Sequence, residues 1–205
     1  MGPKLQLILA TESSAIRERF PESGFYSLRE CEIESILFAK GGWFGPRSTL
    51  EEDRRFLQII AYVVLQCEAK ILTYSRAVSG GEARLHGLRS VGLGGHVDLN
   101  DFGGGDVISL DTVASAAGRE LDEEIGSFPS VENQWIGILV DWDSEVGQVH
   151  VGVVQRRTVA EFAILAPEHA IDKPSFISVA KLREDYSSLE TWSQHLLADS
   201  MFDGS

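Results

Sequence analysis

The segment from Ser109 to Gly126 constrains this chain more than any other stretch. Leu110, Val113, Ala114, Ala117 and Leu121 recur at helical spacing and make one apolar stripe. Ser109 or Asp111 can serve as the N-cap, and Gly126 stands where a C-terminal stop belongs. Gly118 lies inside at a cost of about 1 kcal/mol relative to alanine, so packing must hold this helix. Its last turns, Arg119-Glu120-Leu121-Asp122-Glu123-Glu124-Ile125, set three glutamates at i, i+3 and i+4 on one face. Glu120 and Glu124 border the apolar stripe, and a carboxylate at the edge of a buried face is expensive unless a cation or hydrogen bonds satisfy it. Each close like-charge pair destabilises an isolated helix by about 0.2–0.5 kcal/mol. A divalent cation reverses that sign, and converging oxygen ligands suit Mg²⁺ or Mn²⁺. An ordinary solvated acidic helix gives the same string, so the surroundings decide between the two.

Ahead of the helix, Arg89 to Asp98 forms a short apolar strand that contains the pair Gly94-Gly95. Strand and helix together resemble the Nudix box, G-x5-E-x7-R-E-U-x-E-E-x-G-U with U aliphatic. Arg119, Glu120, Leu121, Glu123, Glu124 and Gly126 match it position by position, and Asp111 falls eight residues before Arg119, where the box has its first Glu. Fifteen residues separate Gly95 from Asp111 where the box has five, so the box spans 94–127 with a loop insertion at about 98–108. Ser127 replaces the last aliphatic residue. The likeness continues in Phe44-Gly45-Pro46-Arg47, Glu51-Glu52-Asp53, Gln58 to Leu65, Arg84-Leu85 and Val146 to Val154. Over most of residues 30–200 the chain is similar to the MutT-like branch of predicted phosphoesterases.

The resemblance implies an α+β Nudix fold, an α/β/α sandwich around a mixed β-sheet in a single domain, with residues 1–30 an N-terminal extension packed on a domain of 31–205. It also implies a metal-dependent hydrolase that cleaves the diphosphate linkage of a nucleoside diphosphate joined to another group, by water attack on phosphorus. In that scheme Glu120, Glu123 and Glu124 ligate Mg²⁺ or Mn²⁺, with the Gly95 carbonyl and Asp111 completing the sphere. Arg119 orients a box carboxylate through its planar fork. Glu120 is one general-base candidate, and Glu145, in the polar turn Asp141 to Glu145, is another. Arg47, Arg84 and His96 are candidates for substrate contacts, while His150 carries no catalytic assignment. Two alternatives remain: a catalytically silent Nudix-fold sensor or regulator that binds nucleotide, and a prenyl-diphosphate isomerase, for which no supporting cysteine is present.

Composition restricts the rivals. The 205 residues are 43% hydrophobic, enough for one well-buried core. The formal charge is −13 and no basic cluster exceeds a pair, which argues against duplex nucleic acid or an anionic membrane as partner. Leu5 to Ala10 is too short for a secretory h-region, and Phe56 to Cys67 is too short to span a membrane, so a cytoplasmic location is expected. Cys31 and Cys67 form no disulfide framework, and the default for both is burial as small apolar residues. Asp98-Leu99-Asn100-Asp101 lacks the ligands of an EF-hand loop, and Gly103-Gly104-Gly105 lacks the Lys-Ser/Thr of a P-loop. The default assembly is a homodimer, the commonest soluble oligomer.

Along the chain the patterns predict a strand at Leu5–Ala10, a helix at Ser13–Phe20 and an extended segment at Glu32–Ala39. Ser48 caps a short turn, Gln58–Gln66 and Lys70–Arg76 make a hairpin, and Val78–Glu82 is a Gly-rich turn. Gly87–Val97 is the strand entering the box. Gln134–Trp142 and Gln148–Thr158 form a second hairpin, and Phe176–Val179 is a short strand. Ser187 to Glu190 is a capping box opening a terminal helix whose Leu189, Trp192, Leu196 and Leu197 face inward. Trp43, Trp135 and Trp142 are candidates for base stacking, with core packing favoured for Trp135.

Overall fold

A computed structural model describes residues 5–76, 88–126, 130–160 and 171–202. The central strand is β4 (Phe56–Cys67), the longest apolar run in the sequence. Along one edge it pairs in parallel with β9 (His150–Thr158), from Gln58↔His150 to Gln66↔Thr158. Its other edge is shared by β1 (Leu7–Glu12), β7 (Leu93–His96) and β5 (Lys70–Arg76). β10 (Ile171–Ser178) extends the sheet beyond β5, while β8 (Glu132–Val140) and β2 (Gly24–Ser27) extend it beyond β9. β3 (Trp43–Pro46) pairs with β1, and the two-residue β6 (Arg89–Ser90) with β5.

Side chains alternate across this sheet, and each face finds its own helices. Leu57, Ile59, Ala61, Val63 and Leu65 of β4 pack with residues of α1 (Ser13–Arg19), α2 (Glu30–Phe38) and α4 (Leu110–Ile125). Tyr62 and Val64 face the other way, onto α5 (Val179–Glu184) and α6 (Thr191–Ala198). The result is the expected α+β sandwich around a mixed sheet. α3 (Arg47–Leu50) is a single turn beside β3. No helix among the described residues is long and apolar enough to cross a membrane.

Several expectations are corrected. Glu32–Ala39 is helical, within α2, because Ile33, Ile36 and Leu37 are buried at i, i+3, i+4 and Glu32 reaches back to the Arg29 amide at 3.0 Å. The first thirty residues are more than a packed extension: β1 and β2 are strands of the main sheet. Gly87–Val97 holds two short strands instead of one. Pro46, not Ser48, occupies the N-cap of α3, and Glu190, not Ser187, caps α6. Cys31 is exposed, whereas Cys67 is buried as expected. Trp135 and Trp142 are core residues, and the Trp142 indole donates to the Phe20 carbonyl at 2.8 Å. Val78–Glu82 lies outside the described residues.

Two caps fix the functional helix. Ser109 Oγ accepts from the Asp111 amide, and Glu34 of α2 accepts from the Leu110 amide at 2.9 Å. Both satisfy donors that the first turn of a helix leaves open, with negative charge at the positive end of the dipole. On the far face, Glu190 locks α6 to the sheet. Its carboxylate accepts from Tyr62 Oη at 3.0 Å, Ser193 N at 3.0 Å, Ser193 Oγ at 2.5 Å and Trp192 N at 3.0 Å. Burial and the Glu190 charge raise the Tyr62 pKa well above its ordinary value, which keeps the phenol a donor. Glu190→Ala strands these buried donors and is expected to destabilise the fold by about 2–4 kcal/mol in urea unfolding. A change below about 0.5 kcal/mol would show that the network does not hold the helix.

Candidate active site

The glycine pair brings the box helix against the sheet. Gly94 has φ +144°, and a Cβ there would collide with the Ala61 carbonyl of the neighbouring strand. A Cβ on Gly95 would lie 2.7 Å from the carboxyl carbon and both oxygens of Glu120. Only glycine lets that carboxylate rest on the strand, so the two residues are required for different reasons.

Arg119 ties the pieces together. Its Nε and Nη2 donate to the two oxygens of Asp101, each at 2.9 Å, and Nη2 also donates to the His96 carbonyl at 2.9 Å. Nη1 donates to Glu120 Oε1 at 2.6 Å and reaches Glu123 Oε2 at 3.4 Å. The planar fork thus links turn, strand and helix at one point. Hydrogen bonding to Asp101, above all, holds the Arg119 pKa above its ordinary value. Glu120 shifts upward: desolvation dominates, Arg119 opposes it, and the charges of Glu123 and Asp101 add to it.

Asp101 corrects the reading of the box. It sits in a 3₁₀ turn, Leu99–Phe102, opened by Asp98, whose own amide donates to Asp101 Oδ2 at 2.7 Å. Gly95 and Asp101 are separated by five residues, the first spacing of the box, and the extra residues fall between Asp101 and Arg119. Asp111 lies instead in the first turn of α4, exposed, about 12 Å along the axis from Arg119 at 1.5 Å per residue. The structure does not bring it to the group.

Gly95, His96, Arg119 and Glu120 line a cleft of about 400 Å³ together with Gln6, Arg47, Asp98 and Asn100. Arg47, at the start of α3, donates to Glu51 at 2.8 Å and to Gln6 Oε1 at 3.3 Å. The Glu123 side chain is 59% exposed and Glu124 is half-buried one turn beyond Glu120. Glu145 is exposed in the loop before β9 and does not line the cleft. Arg84 lies outside the described residues. Sequence reasoning missed Gln6, Asp98, Asn100 and Asp101. Only Asp101 carried a signal, its spacing from Gly95.

On the opposite side of β7 from Gly95, the His96 ring meets Gln58 Oε1 at 2.9 Å and His150 Nε2 at 3.2 Å through its Nε2. His150 Nδ1 faces the Val146 carbonyl at 2.7 Å. Gln58 is fully buried, and its Nε2 has no hydrogen-bond partner among the described residues. Such a donor costs about 1–3 kcal/mol, so the amide is turned to face its oxygen to His96 at the expense of its nitrogen. Burial first, then the charges of His150, Arg47 and Arg119, push the His96 pKa down to about 3. His96 is therefore a neutral ring in the cleft wall, not a cation for phosphate.

No family model matches the chain. Protein YmaB of Bacillus subtilis (strain 168) is 35% identical over 161 residues, covering 74% of this chain and 74% of YmaB. Among solved structures, Tm1382, whose description places it with the Nudix hydrolases, matches 94% of this chain and 96% of its own at TM-score 0.76 and 24% identity. The NUDIX domain of Shewanella oneidensis NrtR, solved with ADP ribose, matches 69% of this chain and 83% of its own at TM-score 0.50 and 15% identity. The fold is that of the Nudix hydrolases. The chain belongs to the family of YmaB, and it carries the box residues on that fold.

Two outcomes test this site. Asp101→Asn removes the charge that holds Arg119 and is expected to cost about 1–3 kcal/mol, less than a fully buried pair because Arg119 is partly exposed. Asp111→Asn should cost under about 1 kcal/mol, the worth of a helix-dipole contact. Equal losses in urea unfolding would return Asp111 to the site. The second outcome concerns pH. The folded pKa of His96 lies below the unfolded value of about 6.5, so the unfolded chain takes up the proton first. Stability falls as pH drops from 6.5 towards 3. Between pH 7.5 and 5 the wild type should lose about 2 kcal/mol more than His96→Gln. Parallel pH profiles would mean that His96 titrates normally.

Proposed function

We propose that the protein is a divalent-metal-dependent pyrophosphohydrolase that cleaves the diphosphate linkage of a nucleoside diphosphate joined to another group. The observation that carries this reading is the seating of Glu120: its carboxylate rests on Gly95, is held by Arg119, and opens onto a cleft that also contains Arg47. The ADP ribose bound by the NrtR NUDIX domain supports a nucleotide-like diphosphate as the ligand class.

The donors present fit Mg²⁺ or Mn²⁺. Glu120, Glu123, Glu124 and the Gly95 carbonyl are hard oxygen ligands. One guanidinium nitrogen already lies within 3.4 Å of both Glu120 and Glu123, so the two carboxylates accept a shared positive centre. Among the described residues no group of three or more His, Cys, Asp or Glu is already placed to hold a metal ion. The exposed Glu123 is the ligand that has to swing in. When bound, the ion neutralises the diphosphate and acidifies the attacking water. The chain's own residues do the rest. Arg119 fixes Glu120 and the end of β7. Arg47, which also lines the cleft, supplies positive charge for a phosphate oxygen. Glu120, its pKa raised by burial, is suited to accept a proton from water, and Glu145 is the loop alternative.

Calorimetry with Mn²⁺ on wild type and on Glu123→Gln/Glu124→Gln tests the metal site. Wild type is expected to bind, with affinity at least tenfold weaker in the variant. Equal binding, or none by either protein, overturns the site. Phosphorus NMR of a nucleoside-diphosphate panel, ADP ribose included, then reads turnover, which Glu120→Gln should lower by about 10²–10⁴-fold. Binding with no turnover of any member would favour the sensor reading.

A further inference from the structure

We propose that His96 is a fixed, neutral hydrogen-bond acceptor that recognises a hydroxyl group on the substrate beside its diphosphate, with His150 and Gln58 as its positioning residues. The inference rests on the reading of the cleft as a diphosphate site. A carbonyl only accepts, so the contact of His150 Nδ1 with the Val146 carbonyl at 2.7 Å places the hydrogen of that ring on Nδ1. In the neutral ring that single hydrogen is then used, so His150 Nε2 is an acceptor. The facing His96 Nε2, 3.2 Å away, must then be the donor. Gln58 Oε1, 2.9 Å from the same nitrogen, accepts from it as well.

That chain of contacts leaves the His96 Nδ1 lone pair as the outward end. Nδ1 has no hydrogen bond among the described residues, yet it is not one of the polar atoms shut off from solvent, and the residue lines the cleft. The buried, unpartnered Gln58 Nε2 is the other end of the same constraint: turning the amide to satisfy it would present two N–H groups to the His96 N–H. The cleft is thus divided. Arg47 and the box residues serve the phosphates, whereas His96 Nδ1 is an uncharged acceptor in a cleft that Gln6 and Asn100 also line. A phosphate oxygen brings no hydrogen to such an acceptor at pH 8. A sugar hydroxyl does. Among the described residues that line the cleft none is Phe, Tyr or Trp, so it suits a hydroxylated sugar better than a stacked base.

Nitrogen-15 spectra at pH 8 decide the tautomers without any substrate. His96 is expected as the Nε2–H form and His150 as the Nδ1–H form, and an Nδ1–H form at His96 overturns the proposal. His150→Phe, which removes the acceptor but keeps a ring, should give a mixture of tautomers at His96; an unchanged spectrum overturns the positioning role. Binding of inorganic diphosphate and of ADP ribose, each with Mn²⁺, tests the ligand assignment. His96→Phe should weaken ADP ribose about tenfold and leave inorganic diphosphate unchanged, whereas equal loss for both, or none, overturns it. If wild type binds neither probe, the diphosphate reading itself falls and takes the hydroxyl assignment with it, while the spectra still judge the tautomer.

Discussion

One guanidinium group holds this site together. Arg119 meets a carboxylate from the 3₁₀ turn, a carbonyl from β7 and a carboxylate from its own helix, and these three come from separate parts of the sequence. A lysine has no equivalent geometry, because a point charge cannot hold Asp101 by two oxygens while bonding Glu120 through a third nitrogen. Everything else is arranged so that this meeting is possible. Gly94 and Gly95 let the strand pass under the helix, Glu34 and Ser109 start the helix at the right residue, and β4 supports β7 from Ile60 to Val63. The Arg119–Asp101 pair is stabilising here because Asp101 accepts from two guanidinium nitrogens and from the Asp98 amide; an isolated pair at this depth would not offset its desolvation.

How far the sequence discloses this arrangement depends on the length of each pattern. The box helix is legible because its apolar stripe repeats for four turns and its caps are of the expected types. β4, β5, β8 and β9 are legible for the same reason, as long β-rich runs. Four-residue strands such as β2 and β3 show too little alternation to register, and they form only because neighbours supply their hydrogen bonds. α2 is a case of competing signals: Ile33 and Ile36 are β-branched and favour strands, but with Leu37 their spacing is helical, and the tertiary face decides. Asp101 illustrates a different failure. Counting back from Arg119 leads to Asp111, whereas counting forward from Gly95 leads to Asp101. An inserted loop breaks one spacing or the other, and only the partner of Arg119 shows which.

The second polar layer is legible only at His96, which stands beside the glycine pair; its partnership with Gln58 and His150 is not. His96, Gln58 and His150 stand on β7, β4 and β9, separated by tens of residues, and become neighbours through the β4–β7 and β4–β9 registers. Nothing in the strand patterns marks Gln58 beyond its being a polar residue in an apolar run. Burial explains its choice: a glutamine offers a fixed acceptor to an imidazole without adding charge, whereas a glutamate at the same place would draw a proton onto His96 and raise the pKa that the site keeps low.

Charge sets the final constraint. The chain carries −13, and its cleft is lined by Asp98 and Glu120 against Arg47 and Arg119, with Asp101 bound to Arg119 behind them and Glu123 and Glu124 following Glu120 on the helix. Arg119 is committed to Asp101 and Glu120, and Arg47 is partly committed to Glu51, so the fixed cations offset the carboxylates and leave little positive potential for a diphosphate. An anionic ligand can enter such a cleft only if positive charge arrives with it. Under the proposed function, divalent cations on the glutamates would provide that charge and would tie ligand affinity to metal concentration. On that reading the cleft would favour a metal-bound diphosphate over free phosphate esters, because the carboxylates that repel the bare anion would be the ones that bind the ion it carries.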